Sequence, residues 1–110
     1  MRFVEVAETE LFRAAGMPYS KVFDTFNCWL PRVHFSADFH APARLDEKLR
    51  VTASVKALGN TSITLSFDIE NQAGIRIAEF EIVLVCTDRA TSVKRPLPEE
   101  LRSALSRFAA

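Results

Sequence analysis

Residues 2–16, RFVEVAETELFRAAG, set the tightest limit on what this chain can become. Phe3, Ala7, Leu11 and Ala14 recur at steps of three and four, and Val4, Val6, Phe12 and Ala15 widen the apolar stripe around much of the circumference. A helix with so broad a stripe is expected to be surrounded on most sides rather than laid on a surface. Glu5, Glu8 and Glu10 gather toward its N-terminal half, where the helix dipole favours negative charge. Gly16 supplies a left-handed cap and Pro18 prevents resumption, so the helix carries its own stop signal.

The rest of the chain must cover that helix. After YSKVFDTFN, read as irregular, the period falls to two. Val33, Phe35, Ala37 and Phe39 alternate with Arg32, His34, Ser36, Asp38 and His40, which predicts a half-buried strand over 32–40. Leu49, Val51, Ala53, Val55 and Ala57 alternate with polar residues in the same way, as do Ile63, Leu65, Phe67 and Ile69. LGNTS and NQAG supply the turns between strands. A last strand is expected over 75–87. Its alternation slips between Ile77 and Ala78, which predicts a bulge, and its apolar end from Ile82 to Cys86 predicts cover on both faces. PEELRSALSRF closes the chain as a short helix with Leu101, Leu105 and Phe108 on one side. One buried helix, four antiparallel strands in meander order and a terminal helix give an α+β chain, a sheet curled around a single helix.

Composition narrows the function. With 110 residues the chain is expected to form one domain, 1–110. Fourteen basic residues balance fourteen acidic ones, which argues against nucleic acid or an anionic membrane as the main partner. The apolar runs are too short to span a bilayer, and nothing at the N-terminus reads as a secretion signal. Cys28 and Cys86 have no metal-binding spacing, so both are expected to be buried free thiols in a reducing cytoplasm.

RFVEVAETELFRAAG, DFHAPARLDEKLRV, LGNTSITLSFDI and RPLPEELRSAL, in this order and spacing, resemble the hotdog-fold thioesterases, in particular the 4-hydroxybenzoyl-CoA and short-chain acyl-CoA branch. The resemblance covers nearly the whole chain. It implies an antiparallel sheet wrapped around one central helix, assembly as a homodimer or homotetramer, and hydrolysis of an acyl-CoA with coenzyme A as part of the substrate and no separate cofactor. It also implies a departure. In that family a first strand and a loop precede the helix, bringing a catalytic aspartate and a glycine turn that polarises the thioester carbonyl, whereas here Met1 abuts the helix. A shortened member is therefore expected, and a catalytically inactive hotdog that binds acyl-CoA or only oligomerises is the alternative.

Thioester hydrolysis needs N–H dipoles on the carbonyl and a carboxylate to attack it or activate water. The first turn of the helix could offer N–H groups from about Phe3 to Glu5, and Glu5 is the candidate carboxylate; in some hotdog enzymes an acidic residue at this place on the helix is catalytic. Glu5 also serves as an ordinary partner of the helix dipole. Arg89, Lys94 and Arg95 cluster after the last long strand, fitting either coenzyme A phosphates or a solvated basic loop. His34, Asp38 and His40 share one strand face but spread over roughly 20 Å, too far for one metal ion. Asn60, Thr61 and Ser62 read as turn chemistry. No serine sits in a nucleophile-elbow context, neither cysteine has an activating neighbour, and the absence of histidine from the first helix argues against a dehydratase.

Overall fold

The computed structural model describes residues 2–42 and 48–109, and of Arg2 and Phe3 the backbone alone. The expected inward place of Phe3 and the acidic turn at 43–47 lie outside the described residues.

Helix α1 spans Arg2–Ala14 and buries Val4, Glu8, Leu11 and Phe12, with Ala15 buried in the turn that follows. These positions share one arc of a helix with 3.6 residues per turn. The expectation of cover on most sides is corrected: Glu5 and Ala14 are exposed and Val6 is 55% exposed, because the sheet lies on one side of the helix only. The stop signal works as expected. Gly16 has φ +75°, its N–H reaches Arg13 O at 2.9 Å, and Met17 N–H reaches Phe12 O at 2.9 Å. These two bonds form the Schellman pattern, with Met17 and Phe12 buried beside it.

The stretch read as irregular is a second helix, α2, Tyr19–Phe26. Pro18 occupies its N-cap and Asn27, at φ 53°, ends it. Strand β1 (Cys28–Trp29) follows and pairs with β6 (Thr87–Asp88) in a two-stranded ribbon.

The main sheet holds β2 (Arg32–Phe39), β3 (Leu49–Leu58), β4 (Ser62–Asn71) and β5 (Arg76–Val85), all antiparallel, in the order β2-β5-β4-β3. Only β3-β4-β5 is a meander. The expected simple meander is corrected because β2 crosses to lie beside β5. The helix-facing side carries Leu65, Phe67, Ile69, Phe80, Ile82 and Leu84, all buried. Truncating one such aromatic to alanine typically costs about 3–5 kcal/mol. The opposite side is polar and laced with ion pairs, Lys56–Glu81 at 2.7 Å and Arg76–Asp68 at 2.9 Å.

Among the described residues three one-residue bulges break the alternation. The expected one is present: Ile69 faces Ala78 and Glu70 faces Arg76, leaving Ile77 as the extra residue. The carbonyl of Ile77 accepts the N–H groups of His40 and Ala41 at 2.9 and 3.2 Å. A second bulge, at Lys56, turns Ala57 outward and Leu58 onto the core, reversing the expected facing of Ala57. The third lies at Val33: His34 faces Val83 while Arg32 faces Leu84. Helix α3 (Glu99–Ser106) then packs on β3 with Leu101 and Leu105 fully buried. Among the described residues no helix is long and apolar enough to cross a membrane.

Candidate functional site

The bulge at Val33 has a chemical effect. Strict alternation would place Arg32 on the polar face with His34 and Ser36. The extra residue instead puts Arg32 opposite Leu84, on the side of the sheet that faces α1. There its Nη2 donates to Glu8 Oε2. Glu8 is 1% exposed, while the Arg32 side chain remains 45% exposed. Glu8 thus has a cation on one oxygen, and its other oxygen, Oε1, is buried with no partner among the described residues. Tyr19 on α2 completes the group. Burial first, then the negative charge of Glu8 and a hydrogen bond to it, push the Tyr19 phenol up, so it remains a protonated donor. Its ring packs on Phe12 with centroids 4.6 Å apart. Glu8, Tyr19, Phe23, Leu30, Pro31 and Arg32 line a cleft of about 290 Å³.

Sequence reasoning missed this cluster. A signal was present: Glu8 is four residues after Val4 and four before Phe12, so it interrupts the apolar arc from within. A charge at such a position requires a buried partner.

The predicted residues fall elsewhere. Glu5 is exposed at the border of the buried arc of α1, where it lines a shallow hollow of about 390 Å³ with Val6, Thr9, Glu10 and Arg13. Arg89 and Arg95 do lie near each other, but both reach the end of α2. Arg95 Nη1 donates to Phe26 O at 2.9 Å, and Arg89 Nη1 donates to Phe23 O at 3.4 Å and Asp24 Oδ1 at 3.3 Å. Lys94 is exposed, with its backbone bridged to Thr87. His40 lies 3.5 Å from Glu79 on the polar face of the sheet. Among the described residues no three histidine, cysteine or acidic side chains stand close enough to hold a metal ion.

Cys28 and Cys86, 58 residues apart in sequence, are buried free thiols with their sulfurs 3.3 Å apart. Burial, then contact with Cys28, pushes the Cys86 thiol up to about 12, the reverse of what a nucleophile needs. A larger, mostly apolar cavity of about 530 Å³ opens beyond the sheet's inner face, between Phe39, Leu49, Ile69, Ile77 and Phe80, with His40 at its edge.

Comparison with known proteins places this geometry in context. The profile of the thioesterase superfamily matches residues 1–78. The acyl-CoA thioester hydrolase YbgC of Escherichia coli is 26% identical over 99 residues, a match covering 90% of this chain and 73% of that protein. A solved thioesterase-superfamily structure from Jannaschia superposes with a TM-score of 0.86 at 22% identity, over 99% of this chain and 76% of its own. Slr0204 of Synechocystis, a 1,4-dihydroxy-2-naphthoyl-CoA thioesterase, gives 0.84 at 21% identity, over 96% and 77%. At these identities the two structures establish the fold alone, the hotdog arrangement of sheet and helix.

Proposed function

Because the chain belongs to the thioesterase superfamily, we propose that it hydrolyses an acyl-CoA thioester to the free acid and coenzyme A. The observation that carries the reading is the family match over residues 1–78, which takes in α1, β2 and the inner face of β4. The 26% identity to an acyl-CoA thioester hydrolase points the same way. The step uses water and the chain's own groups, and coenzyme A enters as part of the substrate.

In this proposal the N-terminal turn of α1 presents its free N–H groups to the thioester carbonyl, which gains negative charge as water adds. Glu5, in that turn and exposed, takes the proton from the attacking water. Its face of α1 also carries the exposed Val6, so a second subunit laid there would enclose the reacting group. Arg89, Lys94 and Arg95 are the cations for the coenzyme A phosphates. Each guanidinium has five donors, so the bonds holding α2 leave others for a phosphate. We propose a homodimer, or a homotetramer built from it, in the cytoplasm, a setting that suits two free thiols in contact.

Thiol release from a panel of acyl-CoAs tests the activity. Glu5→Gln is expected to lower the rate by about 10²–10⁴-fold, the usual worth of a general base, with the fold retained. Equal rates for parent and variant remove Glu5 from the site, and no release from either sinks the hydrolase reading.

A further inference from the structure

We propose that the cleft floored by Glu8 is a subsite for a hydrogen-bond donor, a hydroxyl or an amide N–H, carried on an apolar stretch of the ligand. The proposal rests on the acyl-CoA reading above, in which the donor is either a hydroxyl on the acyl group or an amide N–H of the pantetheine arm.

Three observations carry it. First, Glu8 is 1% exposed and its Oε1 has no partner among the described residues, although Oε2 is engaged by Arg32. A buried acceptor left unmade bears its full desolvation penalty, and a ligand donor relieves it. Second, the charge is already balanced. Arg32 and Glu8 cancel in charge, so an anionic group entering the cleft meets a neutral pair whose buried member is a carboxylate. A neutral donor meets an acceptor. Third, the walls are apolar and aromatic apart from that floor: Phe23, Leu30, Pro31 and the ring of Tyr19. A volume of about 290 Å³ sits at the lower end of small-molecule pockets, room for a substituent or a short chain segment and not for a nucleotide. Tyr19, whose hydroxyl hydrogen goes to the Glu8 carboxylate, leaves its oxygen as an acceptor at the same floor.

The cleft is separate from the hollow beside Glu5. The two share no lining residue, although Glu5 and Glu8 stand one turn apart on α1 and the charge of Glu5 is felt at Arg32. Glu8 is thus a binding residue that selects what enters, with no part in the proton transfer assigned to Glu5.

Calorimetric titration tests the subsite without turnover. The probes are S-butyl-CoA, S-(3-hydroxybutyl)-CoA and pantetheine, none of which carries a scissile thioester. If the donor is a hydroxyl, S-(3-hydroxybutyl)-CoA binds the parent about tenfold or more tightly than S-butyl-CoA. If it is the pantetheine amide, the two bind alike and pantetheine binds on its own. In either case Glu8→Met, which removes the acceptor at similar volume, abolishes the effect. Leu30→Trp fills the cleft while leaving the ion pair in place, and does the same should Glu8→Met fail to fold. Equal binding of the two thioethers with no binding of pantetheine overturns the proposal, because water alone then serves Oε1. So does a preference that survives both variants. Thiol release is measured separately: a protein that shows the preference and hydrolyses nothing keeps the subsite and loses the hydrolase reading.

Discussion

Glu8 and Arg32 form an unequal pair, and the inequality decides what each substitution does. Glu8 is wholly enclosed, whereas Arg32 has 45% of its side chain in solvent. Removing Arg32 strands a buried carboxylate. Removing Glu8 leaves a guanidinium that can turn into water. Arg32→Ala is therefore expected to cost toward 3 kcal/mol, and Glu8→Met about 1 kcal/mol or less. Urea denaturation of the two variants checks the order, and equal losses would mean that Glu8 is less enclosed than it stands here. Asp88 gives the pH-dependent case. Its Oδ1 accepts the N–H of Ala90 at 2.8 Å and of Thr91 at 3.0 Å, closing the loop after β6. The Thr91 N–H first and the Ala90 N–H second hold its carboxyl below the ordinary 3.8. A depressed value means stability that is present above the unfolded-state value and lost as pH falls through the folded one. In Asp88→Asn the fall in melting temperature between pH 7 and pH 3 is expected to be smaller than in the parent.

At the scale of elements, α2 shows what periodicity can and cannot reveal. Tyr19, Val22, Phe23 and Phe26 do recur at steps of three and four, but eight residues are too few for a helix to stand alone. Its ending is secured from outside the segment. Arg95 reaches Phe26 O from 69 residues away, and Arg89 reaches Phe23 O from 66. Neither bond can be seen locally, so the stretch reads as irregular although it is helical. By contrast α1, with its own glycine stop, and strands β3, β4 and β5, with long alternating runs, were legible, and so was the bulge at Ile77, which leaves two apolar neighbours side by side. The bulge at Val33 was hidden because Arg32-Val33-His34 continues the alternation without a break. The hidden bulge is the one that builds the Glu8 site. If Arg95 closes α2, Arg95→Ala should cost about 1.5–3 kcal/mol, the range for a hydrogen bond to a charged group, and amide exchange should rise first at the C-terminal turn of α2. Faster exchange spread evenly over the sheet would mean that Arg95 does not act there.

At the scale of the whole molecule, the sequence pointed to a helix wanting more cover than one chain supplies, and the structure shows where the shortage lies. The sheet ends at β2, whose outer backbone groups face no strand among the described residues. Along it Val33 is 59% exposed, Phe35 41% and Phe39 75%, and Val6 is bare on α1. Long exposed apolar edges invite pairing, and proteins that stay monomeric blunt them with charge, proline or a covering loop. The bulge at Val33 interrupts only the start of this edge, leaving 34–39 regular. A second copy laid antiparallel along β2 would extend the four strands to eight and cover Phe35 and Phe39. Such an interface is self-complementary, as two-fold symmetry demands. Light scattering of the parent should therefore give twice the 12.4 kDa chain mass, or four times if dimers pair again. Phe35→Glu with Phe39→Glu places four like charges at the join in the pair of chains. The parent dimer should fall to the single-chain mass at micromolar concentration with its circular dichroism retained. A parent that scatters as a monomer, or a double variant that keeps the parent mass, would remove β2 from the interface and leave its apolar row to another partner.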